Sequence, residues 1–344
     1  MHFTNILLAV GLLATRTFAT PSTHNKRSDK LQFVGVNLSG PELRASTSSL
    51  PGTYGTDYTW FNLSTIDVFV SQWQMNTFRI NILMERLVSG CMTNTAMDPE
   101  YLGNLTETVK YITQKGAYAM ITPMNGGRYY GSIINSTSDF EAFWTTVAVA
   151  FKDNERVMFS ANAGYYNMST QLVRNLNQAA INGIRAAGAT SQYISVEGSE
   201  LCIAGLWTNG TGSDSASNAQ VMGALTDASD SLIYQMSSYL DPAGTGFNDT
   251  CASTTLGPDR LVKATAWLQA NNKFGLVGAY AGGVSWQCTA AVITMLEYLA
   301  ENSDFWLGAL WWTAGPWEGE YMFSLEPTTG VAYSTYAPII KSND

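Results

Sequence analysis

The chain has 344 residues, of which 46% are hydrophobic and only 13% are charged, which is ample for one large hydrophobic core. Its 27 Asp and Glu residues outnumber its 18 Lys and Arg residues, so the formal net charge is -9, and the basic residues form no stripe. Because phosphate recognition needs clustered basic side chains, this composition excludes nucleic acid as a partner.

The first 27 residues have the features of a removable leader. An apolar stretch that ends in small residues is typical of a secretory signal peptide, which we assign to residues 1–19. Residues 20–27 are polar and end in the dibasic pair Lys26-Arg27, which predicts a short pro-segment. We therefore expect a secreted, extracellular protein whose mature part spans residues 28–344.

Histidine is confined to this leader. The chain has two histidines, His2 and His24, so the predicted mature protein carries no imidazole. This excludes Ser-His-Asp triads, Cys-His pairs and His-ligated metal sites. The remaining metal option would need four thiolates, and none of the cysteines has CxxC spacing. We expect neither a metal nor another cofactor.

Short apolar runs alternate with longer amphipathic stretches along the mature chain. The runs predict strands, and the stretches between them, such as 172–184 and 290–299, have the 3.6-residue spacing of helices. Eight such alternations without a linker predict an α/β fold, a single-domain (β/α)8 barrel, whose chemistry would lie at the C-terminal ends of the strands. The predicted strands are 33–38, 77–83, 118–123, 157–161, 193–197, 231–236, 275–279 and 307–312.

Four cysteines, an even number in a chain predicted to be exported, indicate disulfides. Three pairings are possible. We favour Cys251 with Cys288, because each lies in a loop-like stretch that flanks one predicted strand-helix unit. Whether Cys91 and Cys202 pair stays open at this point.

Seven Asn-x-Ser/Thr sequons fit a secreted glycoprotein. Asn37 lies inside the first predicted strand, and we expect no glycan there. No apolar run after the leader reaches the roughly 18 residues that a membrane span needs, so we expect no membrane partner. The sequons at which we expect glycans are Asn62, Asn104, Asn135, Asn167, Asn209 and Asn248.

Ordered motifs lie at the predicted strand ends from residue 31 to residue 340. They include LPGTYGTDY at 50–58, NGGRYYG at 125–131 and WWTAGPW at 311–317. With these motifs the chain resembles fungal endo-β-1,4-glucanases of glycoside hydrolase family 5. The resemblance implies a (β/α)8 barrel and a retaining mechanism, in which a nucleophilic Glu and an acid/base Glu lie about 5–5.5 Å apart.

The sequence departs from the family pattern at both catalytic positions. By the resemblance, Gly164 stands where the family has its acid/base Glu, and Ala279 stands at the nucleophile. Without these carboxylates no glycosyl ester forms and the leaving oxygen is not protonated, which implies that retaining hydrolysis is lost. Four further family positions, an Asn, two His and a Trp, are occupied here by Ala163, Met124, Ser237 and Leu201.

Part of the implied sugar-binding site is retained. The resemblance assigns Arg79 to the support of the nucleophile and Trp312 to the floor beneath the sugar next to the cleavage point. Trp317, in the same loop, would offer an exposed indole face to a pyranose. We expect β-1,4-glucan or a cello-oligosaccharide to contact Arg79, Asn125, Asn162, Tyr239, Trp312 and Trp317.

Three interpretations of function stay open. In the first, the chain is a secreted, monomeric pseudoenzyme that binds β-1,4-glucan or acts as a decoy toward a host protein. In the second, the pocket is repurposed for a small apolar ligand, because small and apolar residues make its floor roomier and less polar. The residues that do so are Met124, Ala163, Gly164, Leu201 and Ala279.

The third interpretation is an active glycosidase that uses displaced carboxylates. Among the acidic residues near predicted C-terminal strand ends, Glu200 and Glu318 are the preferred replacements. A pair of carboxyl groups would have to meet the spacing of a retaining or an inverting mechanism. The full set of such residues is Glu85, Glu197, Glu200, Asp241, Glu318 and Glu320.

Overall fold

The computed structural model describes residues 30–43, 50–210 and 213–341. The predicted signal peptide and pro-segment, residues 1–19 and 20–27, lie outside the described residues. Eight parallel strands form a closed barrel in which each strand pairs with its sequence neighbours and the last pairs with the first. They are β1 (Phe33–Leu38), β2 (Thr77–Ile82), β3 (Tyr118–Pro123), β4 (Val157–Ser160), β5 (Ile194–Glu197), β6 (Leu232–Ser237), β7 (Gly275–Tyr280) and β8 (Trp306–Ala314).

This architecture confirms the predicted single-domain (β/α)8 barrel. Every predicted strand is present, with its ends within two residues of the prediction. The apolar runs identified the strands because a parallel barrel buries both faces of each strand, so that no polar alternation interrupts the run.

Helices cover the outside of the barrel. Four of the longer ones begin at capping side chains, and the hydroxyl of Ser169, for example, accepts a hydrogen bond from the backbone N–H of Leu172. Within the described residues, the connection between β5 and β6 holds only short helical turns. The helices of eight or more residues are α1 (Ser64–Trp73), α2 (Pro99–Gln114), α3 (Thr137–Val149), α4 (Thr170–Ala186), α5 (Leu256–Asn271), α6 (Trp286–Glu301) and α7 (Tyr333–Ile340).

The core has two parts. The larger part lies between the barrel and the helices, where outward-facing strand residues such as Phe78 and Ile80 are fully buried. The smaller part fills the N-terminal half of the barrel interior with Phe33, Met120 and Met158, among others. Because this layer closes the barrel from below, the remaining space inside lies toward the C-terminal ends of the strands.

The predicted disulfide between Cys251 and Cys288 is present, with 5.2 Å between the two Cα atoms. Cys251 lies in a loop, as expected, but Cys288 lies in the first turn of α6, which begins just after the capping residue Ser285. Cys91 is exposed and Cys202 is buried, and both are free, so they do not pair. No described helix is both long and apolar enough to cross a membrane.

The sequons differ in their exposure. Asn37 is fully buried, and its side-chain amide donates to the carbonyl oxygens of Gly278 (2.9 Å) and Trp311 (3.0 Å), which agrees with the expectation that it carries no glycan. Asn104 is half-buried. Glycosylation itself stays a prediction at the exposed residues Asn62, Asn135, Asn167, Asn209 and Asn248.

Candidate functional site

A cavity of about 360 Å³ opens at the C-terminal ends of the strands. Residues of β2 and of β5 to β8 line it, together with the loops that follow β3, β4, β5, β6 and β8. Most of the lining side chains are apolar or aromatic, and Arg79, Glu197 and Gln235 provide the polar floor. The other main contributors are Met124, Ala163, Leu201, Ile203, Met236, Tyr239, Phe247, Ala279, Trp312, Tyr321 and Met322.

Arg79 and Glu197 form a buried ion pair at this floor. Nη2 of Arg79 lies 2.6 Å from Oε1 of Glu197, and the side chains are only 2% and 5% exposed. The strand register aligns Glu197 on β5 with Gln235 on β6, and Asn37 on β1 with Arg79 on β2. Since β2 and β5 are not neighbours in the sheet, the charged pair joins inward-facing positions across the interior of the barrel.

Every nitrogen of the Arg79 guanidinium donates a hydrogen bond. Nε donates to the hydroxyl of Thr122 (3.1 Å), and Nη1 donates to Oδ1 of Asn37 and the carbonyl of Gly278, both at 3.3 Å. These contacts hold the guanidinium against Glu197, so Arg79 is a fixed part of the floor.

Both oxygens of the Glu197 carboxylate also accept hydrogen bonds. Its Oε1 accepts from Arg79 and from the side-chain amide of Gln235, and its Oε2 accepts from the backbone N–H of Gly164 at 2.9 Å. Burial raises the pKa of Glu197, and the charge of Arg79 and these hydrogen bonds partly offset that rise.

Gly164 adopts a backbone conformation that suits glycine. Its φ is +73°, in the left-handed region that L-residues rarely occupy. A Cβ atom built at this position would meet nothing closer than Cδ2 of Leu201, at 4.0 Å. The backbone conformation, rather than lack of space, is therefore what restricts this position, and it directs the N–H toward Glu197.

A left-handed turn places Leu201 over the cavity. Glu200, Leu201 and Cys202 have φ values of +55°, +55° and +56°. The N–H of Leu201 donates to the carbonyl of Tyr165 (2.8 Å), and its carbonyl accepts from the hydroxyl of Ser237 (2.9 Å). Left-handed non-glycine residues are strained and concentrate at functional sites, and this turn puts an apolar side chain, 37% exposed, at the rim of the cavity.

A second cavity, also about 360 Å³, adjoins the first. The two share Met124, Ala163, Gly164 and Leu201 as lining residues, so they form one cleft across the barrel end. The second cavity is more polar at its rim, where it is lined by Glu85, Asn125, Arg128 and Tyr166, among others.

The structure separates the predicted site residues into three groups, which line the first cavity, the second cavity or neither. Arg79, Gly164, Tyr239, Ala279 and Trp312 line the first cavity together. Asn125 lines the second cavity, where its amide donates to Glu85 (2.8 Å).

Two predicted sugar contacts line neither cavity. Asn162 is fully buried, and its Oδ1 accepts from the N–H of Gly127 (2.8 Å). Trp317 is 36% exposed but lies outside the lining of both cavities. In this structure, neither side chain is placed to contact a ligand in the cleft.

The structure also changes the choice among displaced carboxylates. Neither preferred candidate, Glu200 or Glu318, lines a cavity; Glu200 lies in the left-handed turn, and Glu318 accepts a hydrogen bond from Ser39 (3.3 Å). Glu197 lies at the cavity floor instead. It closes the fifth predicted strand on the same inward face as Ser195, and this alternation is the signal that favours it over Glu200.

Within the part of the chain that the structure describes, no three His, Cys, Asp or Glu residues cluster closely enough to hold a metal ion. The site consists of a polar floor, apolar walls and an open cleft, which are the features of small-molecule sites in proteins.

A closed (β/α)8 barrel with a cleft at the C-terminal strand ends is the architecture of barrel enzymes. Residues 30–315 match the model of the cellulase family, glycosyl hydrolase family 5. The chain therefore belongs to this family.

The individual relatives support this family assignment. The chain is 47% identical to endo-beta-1,4-glucanase B of Aspergillus niger, over 99% of both chains. It is 49% identical to endo-beta-1,4-glucanase A of Emericella nidulans, over 90% of this chain and 91% of the relative. Among solved structures, XacCel5A in complex with cellopentaose aligns with a TM-score of 0.82 and 31% identity, covering 87% of this chain and 95% of the other.

Proposed function

We propose that this family 5 protein is a secreted pseudoenzyme that binds β-1,4-glucan in its cleft without hydrolysing it. In this proposal residues 1–27 are removed during export and the exposed sequons carry glycans. Gly164 and Ala279 occupy the positions to which the family motif assigns the acid/base and the nucleophile, and both line the cleft.

The observation that carries the proposal is the number of carboxylates in the cavity. Among the described residues, Glu197 is the one carboxylate that lines the first cavity. Glu85, which lines the second cavity, accepts hydrogen bonds from the amide of Asn125 and the N–H of Tyr130. Retaining and inverting glycosidases both require two carboxyl groups flanking the scissile bond. Glu197 is moreover held by Arg79, Gln235 and the N–H of Gly164, so its oxygens are already committed to the protein.

Glucan binding is supported by the relatives and by the cleft. The curated relatives are endo-beta-1,4-glucanases, and one structural relative was solved with cellopentaose. Trp312 and Tyr239 place aromatic rings at the first cavity, where they would stack on pyranose rings. A decoy role toward a host protein stays a prediction.

The first experiment is prolonged incubation of the concentrated protein with cellopentaose, followed by mass spectrometry of the products. We expect intact cellopentaose. Shorter oligomers that disappear in Glu197→Gln, Glu200→Gln or Glu318→Gln would contradict the proposal and identify a replacement acid.

Binding is tested by calorimetric titration of the same protein with cellopentaose. We expect Trp312→Ala to weaken binding about tenfold, because a stacked ring contributes roughly 1–1.5 kcal/mol. Trp317→Ala is the matched control, since this indole lies outside the cleft lining, and we expect less than a twofold change. Failure of the wild-type protein to bind cellopentaose would overturn the glucan-binding proposal.

A further inference from the structure

We infer that a β-1,4-glucan bound in the first cavity continues into the second, where one of its pyranose rings stacks on the side chain of Tyr166. This inference rests on the proposed function and deepens it, because it specifies the ligand as a cello-oligosaccharide long enough to reach both cavities. Trp312 and Tyr239 keep their sugar contacts in the first cavity.

Tyr166 provides the aromatic surface of the second cavity. Among the described residues it is the one aromatic side chain that lines this cavity, and it is 41% exposed. Leu201, at the boundary with the first cavity, is aliphatic, so stacking on this side of the cleft depends on Tyr166. A tyrosine ring with one packed end and one wet end is favoured at binding surfaces.

The loop after β4 directs Tyr166 to the cavity. Gly164, with a φ of +73°, and Asn167, with a φ of +50°, are both left-handed, so the backbone turns sharply on either side of Tyr165 and Tyr166. Tyr165 is fully buried, and its carbonyl accepts a hydrogen bond from the N–H of Leu201 (2.8 Å). With Tyr165 anchored in the core, the side chain that follows lies at the cleft.

Neighbouring groups hold the Tyr166 ring and leave one face open. The guanidinium of Arg128 covers one face, with 3.7 Å between its carbon and the ring centroid. Gly126 contacts one edge, since a Cβ atom built there would lie 2.8 Å from Cε1 of Tyr166. Nη1 of Arg128 donates to the carbonyls of Gly126 (2.7 Å) and Tyr166 (3.1 Å), which fixes the guanidinium. The opposite face is therefore available to a ligand, and a ring held in place loses little entropy on binding.

The polar side chains of the second cavity are paired with the protein and form its walls. The amide of Asn125 donates to Glu85 (2.8 Å), and its oxygen accepts from the N–H of Met84 (3.0 Å). Sugar binding here therefore depends on the ring face. A pyranose suits such a site, because its C–H face can stack on the ring while its hydroxyl groups stay hydrated in the open cleft.

The two cavities are continuous, which a glucan that spans both requires. Met124, Ala163, Gly164 and Leu201 line both of them. Ala163 and Gly164 carry at most a methyl group, so the boundary leaves room for the chain to pass. The rings of Trp312 and Tyr166 then lie on opposite sides of this boundary.

The test is calorimetric titration of the wild type and Tyr166→Ala with cellobiose and cellopentaose. We expect Tyr166→Ala to weaken cellopentaose binding about fivefold, because one stacked ring is lost. Binding of cellobiose, which the rings of the first cavity accommodate, should change less than twofold. Trp286→Ala is the matched control, since this ring is 79% exposed outside the lining of both cavities, and both sugars should bind as to the wild type.

Tyr166→Phe separates the ring face from the hydroxyl group. We expect it to bind cellopentaose within twofold of the wild type, and a loss equal to that of Tyr166→Ala would contradict stacking. Asn167 begins a sequon beside the ring, so the titrations are repeated with Asn167→Gly, which removes the sequon and suits a φ of +50°. The effect of Tyr166→Ala should persist in this background. Its disappearance would mean that a glycan, rather than the ring, contacts the sugar, which would overturn the inference.

The same titrations separate this inference from the proposed function. Wild-type binding of cellopentaose that Tyr166→Ala leaves unchanged would support the glucan-binding proposal and overturn the inference. Equal weakening of cellobiose and cellopentaose in Tyr166→Ala would overturn the assignment of Tyr166 to a separate sugar contact. Absence of wild-type binding would overturn the glucan-binding proposal itself, and the inference with it.

Discussion

At the scale of single residues, the site depends on where Gly164, Ala279 and Glu197 lie. Sequence reasoning placed Gly164 and Ala279 at the cleft, and it included Glu197 among six acidic residues without preferring it. Glu197 lies within a strand, where the alternation of inward-facing and outward-facing side chains predicts that it faces the barrel interior. The same alternation predicts nothing for Glu200, which lies beyond the strand end in a left-handed turn. The direction of a loop side chain depends on tertiary contacts, such as that between Leu201 and Tyr165, which no local pattern encodes.

Gly164→Ala should lower the free energy of unfolding by roughly 1–2 kcal/mol, because an L-residue at a φ of +73° is strained even where space is open. Urea denaturation measures the change. Gly103→Ala is the matched control, since Gly103 lies exposed within helix α2, where Ala should raise stability by about 0.5–1 kcal/mol. An unchanged stability of Gly164→Ala would show that the backbone relaxes at no cost.

At the scale of secondary-structure elements, the sequence predicts the strands but not the conformations of the loops. The eight strands could be predicted to within two residues because each is an apolar run between amphipathic helices. The loop after β6 could not, although it supplies Phe247 to the cavity wall. The position of this loop depends on the disulfide that joins Cys251 to Cys288 at the start of α6.

Replacement of both cysteines of this disulfide, Cys251→Ala with Cys288→Ala, should lower the free energy of unfolding by up to about 4 kcal/mol. This is the entropy that a cross-link between residues 37 positions apart removes from the unfolded chain. Chemical denaturation under non-reducing conditions measures this loss. Cys91→Ala, at an exposed free thiol, should change stability by less than about 0.5 kcal/mol. Equal stability of the double variant and the wild type would mean that the loop is held by its packing alone.

At the scale of the whole molecule, the fold places acidic groups in a mostly apolar interior. Burial raises the pKa of Glu42 from 4.5 to about 7 and also raises the pKa of Glu197. The folded protein therefore keeps protons that the unfolded chain has already released above pH 4.5. Stability is greatest below the unfolded pKa and falls as the pH rises through the folded pKa.

For Glu42 this loss amounts to as much as about 3 kcal/mol between pH 4.5 and pH 7, at 1.36 kcal/mol per pKa unit. Glu42→Gln should flatten the profile, because the amide cannot ionise but its oxygen can still accept the hydrogen bond from the N–H of Gly40. Urea titrations at several pH values measure the slope. Glu320→Gln, at an exposed glutamate, should leave the slope unchanged. Because Glu197 also contributes to the slope, the result that would contradict the assignment is a slope in Glu42→Gln as steep as that of the wild type.

The hydrogen bond from Gly164 to Glu197 also links a loop to the charged floor of the cavity. A side chain at position 164 would have to adopt the left-handed backbone that aims this N–H at Glu197, or else turn the N–H away from the carboxylate. Substitutions at position 164 would therefore also act on the buried ion pair, although the two residues lie 33 positions apart in the chain.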